Sequence, residues 1–305
     1  MTNENELLIL GCGSATPTSN RFPTSQVLRM RDELFLIDCG EGAQIQMRRN
    51  GVRFGQIDHV FISHLHGDHF FGLVGFLSSL HLLDRKKTLY LYGPPGLWEI
   101  LELQFRSSGT RLRYPIEYTP LNPNSEEQIL ETKKVEVRTL KMDHSIDTWG
   151  FVFTEKPKLR NLIKSKLEEL SIPRYVRDQI KHGSDWDRGD GTVIPNHELT
   201  TDPPPIKSYA FFSDTAYVEE NVEKVAGVDL MYHEATFAAE DADKAHKTQH
   251  STTLQAASMA RKAKAKKLII GHFAARYEKP EPLVEEAKAI FEETVAGQEG
   301  GRYIL

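Results

Sequence analysis

The sequence predicts a layered α/β fold in which two β-sheets pack together. Short apolar strand candidates alternate with helical patterns from one end of the 305-residue chain to the other. We find no internal repeat and no low-complexity tract in the sequence. Ten strand candidates suggest two packed sheets, and we expect the helices to cover their outer faces.

The predicted elements follow from hydrophobic runs and their period. The strand candidates are Leu7 to Leu10, Gln26 to Met30, Leu34 to Asp38, His59 to Ile62, Thr88 to Tyr92, Val135 to Leu140, Gly150 to Phe153, Tyr209 to Phe212, Leu230 to His233 and Lys267 to Gly271. The helix candidates are Gly42 to Asn50, His69 to Leu83, Leu97 to Ser107, Val218 to Val225, Thr252 to Lys264 and Leu283 to Glu293.

The composition indicates a soluble globular protein with no membrane segment. Apolar residues make up 39% and charged residues 27% of the chain, and no apolar run approaches the roughly 18 residues that span a bilayer. The first residues are polar and acidic, unlike a secretion signal, so we expect a cytoplasmic location. Cys12 and Cys39 are expected as buried free thiols. The net charge of −5 gives no overall attraction to nucleic acid, so an anionic partner requires a local basic patch.

The most informative stretch is Ser-His-Leu-His-Gly-Asp-His at positions 63–69, directly after an apolar strand candidate. On an extended chain His64 and His66 point to the same side, so two imidazoles converge on one point. After the turn that the glycine allows, Asp68 and His69 begin a helical pattern and face a second point. The stretch therefore predicts two adjacent metal positions. A polar turn with solvated histidines is the alternative, which the density of this cluster disfavours.

Later strand candidates also end in possible ligands. Strand ends at one edge of a sheet sandwich are where binding sites are built. Each residue alone is better explained as a satisfied surface side chain, but their shared position favours one site. These residues are Asp143-His144, Ser213-Asp214, His233-Glu234 and His272.

Counting ligands gives two metal positions that share one carboxylate. Nitrogen and carboxylate donors favour two Zn²⁺ per chain, with Mn²⁺ or Fe²⁺ left open. Such a pair would activate a bridging water as hydroxide and clamp both oxygens of a phosphoryl centre, so phosphodiester hydrolysis fits best. The first metal takes His64, His66 and His144, the second takes Asp68, His69 and His272, and Asp214 bridges them.

The expulsion of an alkoxide leaving group from RNA benefits from a proton donor. His250 is the candidate, and Ser251 and Thr252 after it form a helix N-cap sequence. His233 and Glu234 are candidates to orient it. A capping turn without a chemical role is the alternative for His250.

One segment, residues 154–207, departs from the strand and helix alternation and indicates an insertion. It is charged at first, then rich in Gly and Asp, then rich in Pro. Between Lys156 and Gly183 it carries eight basic and three acidic side chains. A solvated helical hairpin explains this composition as well as a binding role does.

These motifs resemble the metallo-β-lactamase superfamily and, within it, ribonuclease Z, also called tRNase Z. The superfamily signature His-x-His-x-Asp-His is present at positions 64–69, and it specifies the fold and the metal site but not the substrate. More specific likenesses are His-Glu-Ala-Thr at 233–236, His-Ser-Thr at 250–252, and Gly271-His272 followed by Ala-Arg-Tyr at 275–277. The resemblance runs over nearly the whole chain.

The resemblance implies a four-layer αβ/βα sandwich that is one domain, interrupted at residues 154–207 by a protruding basic arm. It implies two zinc ions and cleavage of precursor tRNA after the discriminator base, with a 3′ hydroxyl left on the tRNA. It also implies that Asp68 accepts a proton, that His250 and Glu234 assist the leaving oxygen, and that the arm of a homodimer grips the tRNA. The candidate substrate-binding residues are Lys164, Lys166, Arg174, Arg177 and Arg276.

Two other functions are compatible with parts of the sequence. A hydrolase of small phosphodiesters or cyclic nucleotides would share the fold and the metal positions without using the arm for tRNA. A metal-free RNA-binding scaffold would keep the fold without catalysis, which the complete ligand set disfavours. A β-lactamase or thioesterase fits less well, because the expected location is cytoplasmic and the insertion resembles an RNA-binding arm.

Overall fold

The backbone follows the predicted alternation of strands and helices, and the predicted α/β class is confirmed. The computed structural model describes residues 5–305. By its contacts the chain divides into two units, one formed by Lys156–Ile206 and the other by the remainder.

The larger unit begins with nine strands and four helices. They are β1 (Glu6–Gly11), β2 (Ser25–Met30), β3 (Glu33–Cys39), α1 (Ala43–Arg49), β4 (Ile57–Phe61), α2 (Gly67–Phe70), α3 (Leu73–Leu82), β5 (Leu89–Gly93), α4 (Leu97–Ser107), β6 (Ile116–Pro120), β7 (Gln128–Glu131), β8 (Val135–Lys141) and β9 (Trp149–Glu155).

The chain then forms the smaller unit and returns to the larger one. The smaller unit contains β10 (Asn161–Leu162), α5 (Lys164–Glu169), α6 (Arg177–Lys181), β11 (Trp186–Asp187), β12 (Val193–Ile194), α7 (Asn196–Leu199) and β13 (Thr200–Thr201). The larger unit resumes with β14 (Ser208–Phe212), α8 (Asn221–Lys224), β15 (Leu230–Glu234), α9 (Ala242–Thr248), α10 (Thr253–Lys262), β16 (Leu268–Gly271), α11 (Glu281–Lys288), β17 (Thr294–Ala296) and β18 (Arg302–Ile304).

The larger unit contains two seven-stranded mixed sheets. Their strand orders are β18-β1-β2-β3-β4-β5-β6 and β17-β16-β15-β14-β9-β8-β7. Strands β3 to β6 are parallel neighbours in the first sheet, and β14 to β17 are parallel neighbours in the second. Parallel neighbours end at the same edge of a sheet, which is the edge that carries the candidate site.

Residue alternation along the strands separates an inner core from an outer core. In β1, Leu7 belongs to the core shared by both sheets, whereas Leu8 belongs to the core under α1, α3 and α4. Aromatic side chains join the two sheets: the Phe61 and Phe151 ring centroids lie 5.4 Å apart, and Phe35 approaches Phe153 at the same distance. Helices α10 and α11 contribute to the core of the second sheet. The result is a layered arrangement with helices outside two facing sheets.

Four strands of the two seven-stranded sheets were not predicted, and all four are sheet edges. They are β18 and β6 in the first sheet and β17 and β7 in the second. Edge strands pair on one side only and are often short or partly polar, which weakens their hydrophobic pattern. Their absence from the prediction therefore reflects their position in the sheets.

Two predicted helices differ most from the structure, and the helix predicted from Leu283 to Glu293 already ends at Lys288, as α11. The helix predicted from His69 to Leu83 is divided into α2 and α3 by Gly72, whose amide donates to the Cys39 carbonyl at 2.8 Å. A Cβ at Gly72 would lie 2.2 Å from the Gly40 carbonyl oxygen, so the close approach of two backbones sets the break. The helix predicted from Val218 to Val225 is reduced to α8.

The smaller unit has a hydrophobic core of its own, although its sequence is largely polar. Ile172, Ile180, Trp186, Ile194 and Leu199 are buried together. Over its whole length, Lys156–Ile206, it carries nine basic and eight acidic residues, so the basic excess is confined to its first half. Among residues 5–305, no helix combines the length and the apolar character needed to cross a membrane.

Candidate metal centre

The predicted ligands come together because the strands before them end at one edge of the fold. In the second sheet, β8 and β14 each run antiparallel to β9, so they share a direction with β15 and β16. His144, Asp214 and His272 follow β8, β14 and β16, while His64 follows β4 of the facing sheet. The site is therefore built between the two sheets of the larger unit.

His64, His66 and His144 form a first group of donors. His66 Nδ1 lies 3.1 Å from His64 Nε2 and 3.2 Å from His144 Nε2. Asp214 Oδ2 lies 3.6 Å from the same atom of His64 and 3.9 Å from that of His144. Ligands about 2.0–2.1 Å from a tetrahedral zinc are about 3.3 Å from one another, so this spacing suits a single ion.

Asp68, His69 and His272 form a second group around the other oxygen of Asp214. Asp214 Oδ1 lies 3.2 Å from His272 Nε2 and 3.4 Å from His69 Nε2. Asp68 Oδ2 lies 3.4 Å and 3.6 Å from the same two nitrogens. Asp214 therefore presents one oxygen to each group, as a bridging carboxylate does.

Hydrogen bonds outside the two groups determine which ring nitrogen carries the free lone pair. His69 Nδ1 donates to Asp38 Oδ2 at 2.7 Å, and His144 Nδ1 donates to a backbone carbonyl at 3.0 Å. His272 Nδ1 donates to Thr236 Oγ1 at 2.8 Å. In each neutral ring the Nε2 lone pair then points into its group, which is the tautomer that a metal requires.

The donor set fits divalent cations. His69 Nε2 and Asp214 Oδ1 are buried and find no partner of hydrogen-bond geometry within residues 5–305. Burial lowers the pKa of His69, but Asp214, Asp38 and Asp68 raise it well above its usual range, so this pocket strongly attracts positive charge. A divalent cation would satisfy both the unpartnered atoms and the surplus carboxylates. Mixed imidazole and carboxylate donors are those that zinc accepts.

His250 lies beside both groups and is held by Glu234. His250 Nδ1 donates to Glu234 Oε1 at 2.9 Å. Burial lowers the pKa of His250, but Glu234 raises it more, to about 9, so the ring carries a proton near neutral pH. Glu234 is fully buried and accepts further hydrogen bonds from the backbone amides of Thr215, Thr236 and Ser251 and from the Thr236 hydroxyl.

A cleft of about 650 Å³ opens onto the two groups. His250 lines it, whereas Glu234 does not. Glu234 can therefore act on a bound substrate only through His250. The cleft also exposes Phe71 and Lys247, which the sequence did not single out.

The structure brings together all seven predicted ligands and His250, but it separates two other residues from them. His233 stacks on Phe212 with ring centroids 4.7 Å apart, so Glu234 alone of the two orients His250. Arg276 does not line the cleft; its guanidinium lies 3.6 Å from the Asp241 carboxylate.

The helix after His250 begins as the capping pattern predicts, with one difference. Thr252 is the N-cap residue, and it forms a reciprocal capping box with Gln255. Ser251 instead donates its hydroxyl to the Thr215 carbonyl at 2.7 Å. This arrangement fixes the backbone on which His250 stands.

Asp38 and Thr236 are supporting residues that the sequence did not reveal. Asp38 ends an apolar strand, as the predicted ligands do, and this position was the available signal. Its carboxylate accepts hydrogen bonds from the Ser63 amide and hydroxyl at 2.7 and 2.8 Å, in addition to the one from His69. Asp38 thereby connects the first sheet to the loop that carries the histidines.

Comparison with known proteins supports both the fold and the family that the sequence motifs indicate. Residues 5–162, slightly more than half of the chain, match the family model described as anti-Pycsar protein Apyc1, and over this range the chain belongs to that family. Ribonuclease Z of Bacteroides thetaiotaomicron is 44% identical over 96% of this chain and 93% of its own length. Ribonuclease Z of Cytophaga hutchinsonii is 46% identical over 98% and 96%.

Solved structures with the same fold include human tRNase Z, short form. It superposes with a TM-score of 0.72 over 98% of both chains, at 24% identity. The metallo-β-lactamase fold protein YhfI from Bacillus subtilis superposes with a TM-score of 0.70 over 99% of both chains, at 17% identity.

The facing sheets and the clustered histidines and carboxylates define a metal-dependent hydrolase of the metallo-β-lactamase fold. The family-model match contains His64 to His69 but ends before Asp214, Glu234, His250 and His272, so the full-length relatives determine the narrower family. On their identity and coverage, the chain belongs to the ribonuclease Z family.

We expect Asp38→Asn to weaken metal binding about 10- to 100-fold, because the amide cannot accept all the hydrogen bonds that hold His69 and Ser63. The measurement is competition for the metal against a chelator of known affinity. Asp32→Asn is the matched control, since Asp32 is exposed and lies 3.9 Å from Lys134. Equal affinities of the Asp38→Asn variant and the unaltered chain would contradict the assigned role.

Proposed function

We propose that this chain is a zinc-dependent endoribonuclease that removes the 3′ trailer from precursor tRNA and leaves a 3′ hydroxyl on the tRNA. The observation that carries the proposal is the His250–Glu234 pair beside two complete donor groups, in a chain of the ribonuclease Z family. The donor groups suit phosphodiester hydrolysis, and the pair supplies a proton where a nucleoside oxygen must leave.

Two zinc ions per chain are part of this proposal. His64, His66 and His144 would hold one ion, Asp68, His69 and His272 the other, and Asp214 would bridge them. Ions held there would act as Lewis acids on the phosphate and make a coordinated water more acidic.

The surroundings of His64 and Asp68 keep both side chains in the protonation state that a metal ligand requires. Burial lowers the pKa of His64 well below its usual range, which keeps that imidazole neutral, as a ligand must be. Burial raises the pKa of Asp68, but His69 and His272 lower it more, so the carboxylate is ionised and can ligate a cation. The role of Asp68 as proton acceptor stays a hypothesis alongside its role as ligand.

His250 is the proposed proton donor to the leaving 3′ oxygen. Its Nδ1 is engaged with Glu234, so Nε2 is the nitrogen that can deliver a proton to a substrate in the cleft. Glu234 stabilises the protonated ring and fixes its plane. Its five accepted hydrogen bonds keep the carboxylate in place while His250 loses and regains its proton.

The smaller unit is proposed as the arm that binds tRNA. Lys164 and Arg174 are exposed, and among residues 5–305 neither forms an ion pair, so both are available to phosphates. Lys166 pairs with Glu169 at 2.9 Å, and Arg177 donates to the Ile172 carbonyl at 2.8 Å. Phosphate contacts of this kind supply affinity without reading the base sequence.

Two further parts of the proposal follow from the family. We infer that the chain is a homodimer, so that the arm of one subunit holds the tRNA that the other cleaves. We also infer a cytoplasmic location, where precursor tRNA is found.

The first test is cleavage of an end-labelled precursor tRNA. We expect a single cut that yields a tRNA with a 3′ hydroxyl, loss of activity on chelation, and recovery when Zn²⁺ is restored. His64→Ala should abolish cleavage because it removes a ligand. Full activity of the chelated chain, or of the His64→Ala variant, would contradict the proposal.

We expect His250→Ala to lower kcat by about 10²- to 10⁴-fold, the usual contribution of a general acid. His250 also lies close enough to Asp214 and His272 to form a third donor group, so the metal content of the variant must be measured. A proton donor can be removed without loss of metal. His246→Ala, at an exposed site on α9, is the matched control.

An unchanged kcat for His250→Ala would contradict the role of proton donor. A loss of bound metal equal to the loss of activity would identify His250 as a ligand instead.

We expect the double variant Lys164→Ala/Arg174→Ala to bind tRNA with a weaker dependence on salt concentration. The slope should fall by about one unit for each phosphate that a side chain no longer neutralises. The slope is measured as log Kd against log salt concentration. Lys288→Ala is the control, because Lys288 lies on α11 and pairs with Glu285 at 3.5 Å. An unchanged slope would remove the arm from tRNA binding and favour the alternative, hydrolysis of small phosphodiesters.

A further inference from the structure

Phe71 is a large apolar side chain that lies in the cleft but is not buried. Its side chain is 68% exposed, and it lines the cleft together with His66 and Asp68. A single exposed apolar residue is ordinary on a protein surface. An exposed aromatic ring on the wall of a polar cleft is less ordinary, because such walls contact the ligand.

Phe71 is held in place by Gly67 and Phe70. Its backbone amide donates to the Gly67 carbonyl at 2.9 Å, which fixes Phe71 one helical turn after the glycine. A Cβ at Gly67 would lie 2.1 Å from Phe71 Cε2, so the ring occupies the space that the missing side chain leaves. The Phe70 ring approaches at 5.2 Å with an interplanar angle of 63°. A ring supported by neighbours and open to solvent presents a preorganised surface.

The position of the Phe71 ring beside the proposed metal ligands determines which part of a substrate it would contact. Asp68, a proposed metal ligand, lies three residues before Phe71 and lines the same cleft. A phosphodiester held at the two donor groups therefore brings its flanking nucleosides toward the ring. In single-stranded RNA these nucleosides carry unpaired bases, and an aromatic side chain stacks on any base because every base has a π-face.

We infer that Phe71 is a stacking platform for an unpaired base next to the scissile phosphate. It is a positioning residue: it places the phosphate over the donor groups and does not take part in proton transfer. The inference rests on the proposed function, since it requires a ribonucleotide chain as substrate. It extends that proposal by assigning a base contact to a site otherwise described only by its phosphate chemistry.

The experiment compares precursor tRNAs that carry an abasic residue on one or the other side of the cleavage site. For the unaltered holoenzyme, one of the two substitutions should lower kcat/KM by about 5- to 150-fold, the value of one stacked base. The Phe71→Leu variant keeps an apolar side chain but has no π-face. For this variant the same abasic residue in the substrate should lower kcat/KM little further. Phe71→Tyr should restore the unaltered pattern.

The matched control is Leu82→Ala, because Leu82 is 80% exposed at the end of α3 and does not line the cleft. It should retain the full abasic penalty. Equal abasic penalties in the unaltered and Phe71→Leu enzymes would overturn the inference while leaving the proposed function intact. Failure of the unaltered chain to cut the normal precursor would overturn both.

Discussion

The buried carboxylate of Asp214 is the constraint on which the rest of the site depends. It is 3% exposed, and its two oxygens face two different sets of imidazoles and carboxylates. A buried anion is costly unless positive charge compensates it. Neutral imidazoles that point lone pairs at Asp214 cannot supply that charge. The site therefore attracts cations, as the raised pKa of His69 also indicates. In the proposed function, each oxygen would contact one cation.

Both sheets contribute donor side chains around Asp214. Strands that share a direction end at one edge, so single residues after β8, β14 and β16 reach the same place as the loop after β4. Asp38 and Thr236 then orient the rings. The Glu234 carboxylate contacts residues on both sides of the site. It accepts a hydrogen bond from the Thr236 hydroxyl, which itself supports His272, and another from Nδ1 of His250. In the proposed function, metal binding and proton donation would thus be coupled through one buried side chain, Glu234.

The central strands and the clustering of the candidate ligands could be predicted because both leave local signals in the sequence. Buried strands are continuous apolar runs, and His64 to His69 is too dense in donors to be ordinary packing. The edge strands left weaker signals because they are short or partly polar. The break at Gly72 depends on the backbone at Gly40, and the support from Asp38 depends on a loop 25 residues away. Such long-range contacts have no local pattern.

The same limit applies to the arm and to the cleft. The positive charge of residues 156–183 was visible in the sequence, but the buried core of Ile172, Trp186 and Leu199 shows that the segment also folds as a small unit. Phe71 falls inside the helix predicted from His69 to Leu83, where nothing in the sequence distinguishes it from the other apolar residues. Only the helix break and the bare Cα of Gly67 place its ring in the cleft.

The most direct test of the account is titration of the metal-free chain with Zn²⁺, with bound metal measured by elemental analysis and Tm followed in parallel. Asp214 between two complete donor groups predicts that binding saturates at two ions per chain and that Tm rises with occupancy, because the ions bind only the folded site. In Asp214→Asn both the stoichiometry and the rise in Tm should fall. A chain that binds no metal in excess Zn²⁺, or a variant that still binds two ions with the same rise in Tm, would contradict the central role of this carboxylate.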